Sequence, residues 1–204
     1  EEDDGGGRTG CPRLGLGFPA SQNTLFHANY GKFYQQPNLQ DLYTSYRYLE
    51  YKIQNGGYYF PFGNPNLAPE QTTAYEVGLT HALNPKVRVD LTAYYKDVQD
   101  LVQVQNVPSA PNNFASYRNT DFGTIKGVDF NLQLLETMGF SGSASYSLSY
   151  ATGTGSISDS QRDIAWTADR VPKQTAALSF DQRHKISLNG DYTTPAEFGP
   201  KLGS

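Results

Sequence analysis

The sequence predicts an all-β fold: an antiparallel, up-and-down transmembrane β-barrel, present here as an incomplete, open, curved sheet of about seven strands with long loops at one end. Three observations predict it. Apolar and polar residues alternate with period two along seven stretches, the pattern of strands with one apolar face. The connections alternate strictly between short and long, which puts the tight turns at one end of the strands and the long loops at the other, as in an outer-membrane barrel. The chain is polar, with a mean hydropathy of -0.58, yet it carries 15 Tyr and 11 Phe. A barrel that alternates lipid-facing and lumen-facing residues has such a hydropathy and places aromatics in interfacial girdles.

The elements follow in order. Leu14, Leu16 and Phe18, separated by glycines, form a first short strand, and Pro19 opens a tight turn to Asn23. Phe26, Ala28 and Tyr30 then alternate with His27, Asn29 and Gly31. A long loop spans residues 37–70. Within it Leu39, Leu42, Tyr43, Tyr46 and Leu49 follow Pro37 at spacings of one apolar helix face, predicting a short amphipathic helix. Tyr58, Tyr59, Phe60 and Phe62 cluster behind it without alternation. Tyr75, Val77 and Leu79 alternate with Glu76, Gly78 and Thr80 in a strand over residues 74–83, closed by a turn at 84–86. Residues 87–96 hold the clearest alternation, Val87, Val89, Leu91, Ala93 and Tyr95 against Arg88, Asp90, Thr92, Tyr94 and Lys96. That strand is able to run on toward Val104, and a second long loop is expected over 105–121. Val128, Phe130, Leu132 and Leu134 alternate with Asp129, Asn131 and Gln133, followed by a turn at 136–139. Residues 141–150 set Gly142, Ala144, Tyr146, Leu148 and Tyr150 against an unbroken row of five serines. A third long loop covers 152–182, and Ile186, Leu188 and Tyr192 alternate with Ser187, Asn189 and Asp191. An apolar band of about 25 Å, crossed at about 45°, takes roughly eleven residues, and the strands at 74–83 and 141–150 are close to that length.

Composition excludes other classes. Sixteen Lys+Arg against twenty Asp+Glu leave a net charge of -4 and no basic cluster, so no nucleic-acid partner is expected. One Cys rules out an internal disulfide framework and a Cys-based zinc site, and His27, His81 and His184 are too far apart to suggest a metal motif. No run of 18 apolar residues occurs, and the acidic start at Glu1 is unlike a signal peptide.

The wording of several stretches carries a resemblance. Asn64, Pro65, Asn66, Leu67, Ala68, Pro69 and Glu70, followed by Thr72 or Thr73 and by Tyr75, Glu76, Val77, Gly78 and Leu79, is similar to a segment of TonB-dependent outer-membrane receptors. The same family is resembled by Pro12 to Leu16, by Ala28 to Tyr34 with Pro37, Leu42 and Tyr43, by Thr92 to Asp97, by Gly127 to Asp129 and by Phe180 to His184, in that order along the chain. The resemblance implies a plugged barrel that imports a scarce nutrient (an iron chelate, a corrinoid or a glycan), driven through the TonB complex by the protonmotive force, in the outer membrane of a Gram-negative-type bacterium. It implies as partners the outer-membrane lipid, a plug domain and further strands outside this sequence, the TonB complex reached through a missing N-terminal region, and a small nutrient ligand. Residues 1–11 match nothing expected before the first strand, and residues 12–204 read as an internal piece of the C-terminal half of the barrel, roughly a third of a 22-stranded wall. Neither a plug nor a closing strand with an aromatic end is found within it.

Three sets of residues are candidates for function. Tyr43, Tyr46, Tyr48, Tyr58, Tyr59, Phe60, Phe62 and Trp166 fall on loops expected to be extracellular; they would either contact the ligand or pack the loops over the barrel mouth. Glu76, Arg88, Asp90, Lys96, Asp129 and Asp191 share the lumen parity and would face a plug or a solute path, or simply water in a hydrated interior. Tyr30, Tyr34, Tyr75, Tyr95, Tyr146, Tyr150 and Tyr192 share the apolar parity and are girdle candidates. The motif from Asn64 to Glu70, with Pro65 and Pro69, reads as a device that fixes how a loop re-enters a strand.

No catalytic set is present and no cofactor is expected. There is no nucleophile elbow, no phosphate loop at Gly153 to Gly155, and the pair Asp97 and Asp100 has no partner to separate two pKa values. Two other readings stay open at this point: a soluble extracellular β-sandwich binding carbohydrate through its loop aromatics, and a passive porin-like barrel.

Overall fold

The structure, a computed structural model, describes residues 10–57, 60–158 and 174–194. Its strands are β1 (Arg13–Ser21), β2 (Thr24–Gln35), β3 (Glu70–Asn84), β4 (Val87–Val107), β5 (Phe114–Thr137), β6 (Phe140–Gly153), β7 (Ala176–Ala177) and β8 (His184–Tyr192), with helices α1 (Leu39–Leu42) and α2 (Tyr46–Asn55) between β2 and β3. All the strands lie in one antiparallel sheet in sequence order, and β8 pairs with β6 rather than with β7. The two-residue β7 pairs with Thr152 and Gly153 of β6, while β8 pairs with β6 from Phe140 to Leu148. The two therefore occupy one position beside β6, and the sheet is seven strands wide, as the alternation predicted.

The alternation stays in phase across the whole sheet. Leu16, Ala28, Val77, Ala93, Val128 and Leu148 stand opposite one another along a single row from β1 to β6. The neighbouring row on the other face runs His27, Gly78, Thr92, Asp129, Ser147 and Lys185. A slip of one residue anywhere would mix the faces, so this register is strongly specified. Among the described residues nothing packs on the apolar face: Leu14, Leu16, Val77, Ile186 and Leu188 are all more than half exposed. A sandwich would bury that face against a second sheet.

Two-residue turns join β1 to β2 at Gln22 and Asn23, β3 to β4 at Pro85 and Lys86, and β5 to β6 at Met138 and Gly139. The last has positive φ at both positions, 53° and 83°, the geometry whose twist suits a two-residue hairpin and for which glycine is favoured. Pro19, expected to open a turn, instead lies inside β1.

Two expectations are corrected at the other end. The loop foreseen over 105–121 is mostly strand: β4 runs to Val107, β5 begins at Phe114, and the connection is only 108–113. The strands persist because Val102, Val104, Ala115 and Tyr117 close around Leu67 with Leu42 packed against them, the one dry cluster among the described residues. The single amphipathic helix foreseen from Leu39 to Leu49 is two helices. The amide of Asn64 donates to the Asp41 carbonyl at 2.7 Å, taking the acceptor that the amide of Ser45 would need to continue α1. The apolar stripe that suggested the helix is split: Leu42 packs on the dry cluster and Leu49 is half-buried, while Leu39, Tyr43 and Tyr46 are about 70% exposed.

Candidate functional site

The end of the sheet with the long connections carries a compact cap. A barrel strand needs roughly eleven residues to cross the bilayer, and β4 and β5, with 21 and 24 residues, continue past that length as a hairpin. Both strands bulge where the hairpin leaves the wall, at the register shifts between Val98 and Val102, and Asp100 there takes φ 59°. Bulges bend a strand and leave backbone groups unpaired. Side chains satisfy them here. Asn119 accepts the Ala68 amide at 2.8 Å and donates to the carbonyls of Ala68 at 2.9 Å and Asp100 at 2.7 Å. Glu70 accepts the Val102 amide at 3.1 Å.

The segment between α2 and β3 adds itself to the hairpin. The Phe62 amide donates to the Ala115 carbonyl, the Tyr117 amide to the Phe62 carbonyl, and the Ser116 hydroxyl to that same carbonyl at 3.0 Å. Asn64 accepts the Asn66 amide through its side chain and donates to the Tyr117 carbonyl at 3.0 Å. Gly63 lies so close under Tyr43 that a Cβ would collide with the Tyr43 backbone. Asn112, on the β4–β5 connection, donates to the Ile53 carbonyl at 3.0 Å in the last turn of α2. Below the dry cluster, the buried Gln103 donates to Asp121 at 3.1 Å and to the Ile157 carbonyl at 3.2 Å, tying in the segment after β6.

The loop aromatics separate on this cap. Tyr43, Tyr46, Tyr48 and Phe60 are exposed, joined by Tyr51, which was not singled out from the sequence. Phe62 is not part of that surface: it is buried, edge-on to Phe114 with ring centroids 6.1 Å apart. Tyr58, Tyr59 and Trp166 lie outside the described residues.

Of the charged set, Glu76, Arg88, Asp90, Lys96, Asp129 and Asp191 all fall on the polar face by register. They are tied in small groups rather than gathered at one point. Glu76 receives Asn29 at 3.5 Å and lies 3.6 Å from His27. Asp90 receives Thr80 at 2.6 Å and Arg88 at 3.1 Å. Lys96 stands over the ring of Tyr94 at 5.7 Å.

The tyrosines of the third set lie on the apolar face, in two groups. Tyr30, Tyr75, Tyr95 and Tyr150 share one row with Lys126, and ring centroids are 5.3 Å apart for Tyr30 and Tyr75 and 6.3 Å for Tyr75 and Tyr95. Tyr34 lies further along β2 toward the cap, opposite Gln71. Tyr192 packs on Phe140 with the rings tilted at 42° and their centroids 4.5 Å apart, beside the β5–β6 turn. Tyr146 sits between the groups and its hydroxyl is 2.9 Å from His184 Nδ1, a bond that satisfies a polar ring on an apolar face. His81, on the same face, has the Thr24 hydroxyl at 2.8 Å in the same role.

Between β7 and β8 a carboxylate replaces missing ladder bonds. Asp181 accepts the Ala151 amide at 2.7 Å and Arg183 Nε at 2.7 Å, and the Arg183 guanidinium lies 4.4 Å above the Tyr150 ring. The Arg183 hydrogen bond, then the Ala151 amide, hold the Asp181 pKa below the ordinary aspartate range. No periodic pattern announces Asn119 or Asp181 as hubs, although Asp181 lies in the Phe180 to His184 stretch that carries the family resemblance. The alternation Val102, Gln103, Val104, Gln105 would have revealed the hairpin extension.

Comparison with known proteins gives a consistent result. Residues 3–202 match the family of TonB dependent receptor-like β-barrels, a span that takes in most of the 1–11 segment. The vitamin B12 transporter BtuB of Vibrio vulnificus is 29% identical over 137 residues, which is 67% of this chain and 19% of that protein. Among solved structures, the ferric-catecholate import receptor Fiu of E. coli K12 superimposes with a TM-score of 0.60 at 15% identity, covering 90% of this chain and 22% of the receptor. The alcaligin outer-membrane receptor FauA of Bordetella pertussis gives 0.55 at 17% identity, covering 91% and 26%. The chain thus spans about a fifth of the length of its curated relative.

Proposed function

Because the chain belongs to the family of TonB dependent receptor-like β-barrels, matched over residues 3–202, we propose that it supplies about a third of the wall of an outer-membrane receptor that imports a scarce nutrient, energised through the TonB complex. The observation that carries this reading is the phase-locked sheet: one face apolar and exposed, the other polar, with turns of two residues at one end and the cap at the other. Short turns are periplasmic and long loops extracellular in such barrels, so the cap stands outside the cell and the polar face lines the lumen.

In this reading the exposed Tyr43, Tyr46, Tyr48, Phe60 and Tyr51 offer rigid aromatic surface to a ligand arriving from outside. The charged set on the polar face meets the plug or a passing solute, and the tyrosine row with Lys126 lies at the outer interface. The related proteins are named for vitamin B12, ferric catecholate and alcaligin, and the ligand classes carried forward are a corrinoid, an iron chelate and a glycan.

The test is uptake by cells that express the full-length receptor, using radiolabelled cobalamin, a ferric catecholate and a maltooligosaccharide. Transport of one of them, abolished by a protonophore, is the expected result. Uptake that survives collapse of the protonmotive force, or free swelling of receptor-bearing liposomes in sugar, would replace it with a passive pore.

A further inference from the structure

On the polar face, close to the short-turn end, Arg88, Gln133 and Ser143 stand in one register row and Asp90, Asn131 and Ser145 in the next. Together they line a concavity of about 470 Å³. Asp90 uses both carboxylate oxygens: Oδ1 takes the Thr80 hydroxyl at 2.6 Å and Oδ2 takes Arg88 Nε at 3.1 Å. Thr80 therefore fixes Asp90, and Asp90 fixes the plane of the guanidinium. Only one of the five guanidinium N–H groups is used. The terminal nitrogens of Arg88 have no partner among the described residues, and the side chain is 55% exposed.

We propose that Arg88 anchors a carboxylate-binding subsite on the lumen wall, with Asp90 and Thr80 as positioning residues and the amides of Asn131 and Gln133 as flanking donors. The inference rests on the barrel reading, which makes this face the lumen. A guanidinium already oriented through Nε presents its remaining edge as a planar fork, and that fork matches a carboxylate with two parallel hydrogen bonds. Geometry, not net charge, selects the ligand: Asp90 lies against the fork and Asp129 one row further on, and these two carboxylates oppose a dianion such as phosphate more than a monoanionic carboxylate. Two sources can present such a group here: an acidic side chain from the receptor's own polypeptide filling the lumen, or a carboxylate-bearing solute on its way to the periplasmic end.

The full-length receptor, purified in detergent, is treated with the arginine reagent phenylglyoxal with and without acetate, and modification of Arg88 is followed by peptide mass spectrometry. Thermal melting is measured for the parent, Arg88→Gln and Arg88→Lys. A receptor-borne carboxylate gives modification at least fivefold slower than at exposed arginines without any additive, a lowered Tm in Arg88→Gln, and a partly lowered Tm in Arg88→Lys, which keeps the charge but not the fork. A solute carboxylate gives rapid modification that acetate slows fivefold and that chloride or phosphate at equal ionic strength does not. Rapid modification indifferent to acetate, or slow modification without any additive together with an unchanged Tm in both variants, overturns the subsite. None of these readouts depends on energised uptake, so a receptor that fails the transport test still decides this one.

Discussion

Asn119 joins three backbone groups that no strand could pair, because both partners bulge at its level. Removing its amide leaves the Ala68 and Asp100 carbonyls and the Ala68 amide to find water at the base of the cap. Asn119→Ala is expected to cost about 1–3 kcal/mol locally, seen in the full-length receptor as faster hydrogen exchange at Ala68 and Val102 with unchanged exchange at Val89. Equal exchange at all three sites would show that the joint does not depend on this side chain. Asp181 makes a pH-dependent contribution. Its pKa is depressed in the folded state by Arg183 and the Ala151 amide, so the stabilisation is fully present above the ordinary aspartate value of about 3.9. It is lost as the pH falls below that value through the lower, folded-state pKa. The protection factor of the Ala151 amide, its exchange rate relative to the unstructured rate at the same pH, should therefore fall on acidification in the parent and be insensitive to it in Asp181→Asn. The opposite trend, protection increasing toward acid, would contradict the assignment.

At the scale of a strand, period two decides which substitutions the sheet tolerates. Val128 stands in the middle of the apolar row, and Asn131 lies on the polar face three residues later. A lysine at a lipid-facing position near the bilayer midplane costs about 2–4 kcal/mol. Val128→Lys should accordingly reduce the heat-modifiable, folded form of the full-length receptor on gels, whereas Asn131→Lys should leave it close to the parent. Equal loss in both would mean that the faces are misassigned. The β4–β5 hairpin follows another rule. Above the bulge, its alternating residues serve the dry cluster around Val104, not the bilayer, so the same strand is two-faced in the membrane and packed into a core outside it. The helices show the limit of local pattern: their apolar stripe is real in sequence, yet α1 stops where Asn64 captures the Asp41 carbonyl.

For the molecule as a whole, seven strand positions in an open sheet leave the outer edges of β1 and β8 without strand partners among the described residues. Lipid cannot satisfy such edges, and in water an exposed edge templates further pairing. Residues 1–204 expressed alone should therefore elute as high-molecular-weight aggregate on size exclusion without detergent, and form no pores in planar bilayers. A monomer that melts cooperatively in that buffer would show that the edges or the apolar face are covered in a way the sheet does not reveal.

The strand order, the faces, the turn positions and the family were legible in the sequence, because each rests on a pattern local in the chain: alternation of Val87, Val89 and Leu91 with Arg88 and Asp90, two-residue turns, and the Asn64 to Glu70 wording. Register followed too, since one buried or lipid-facing row leaves a single phase. What only the tertiary structure decided is the cap. The extension of β4 and β5 is written in the alternation from Val102 to Gln105, but the burial of Phe62, the division of the helix, the bonds of Asn119 and the bond from the Ala151 amide to Asp181 all join residues well separated in the chain. Pairwise contacts of that kind leave no periodic trace in a single sequence. The orientation of Arg88 divides between the two: its bond to Asp90 joins neighbours on one face of β4, while the Thr80 hydroxyl that holds Asp90 is brought there only by β3 and β4 meeting in register.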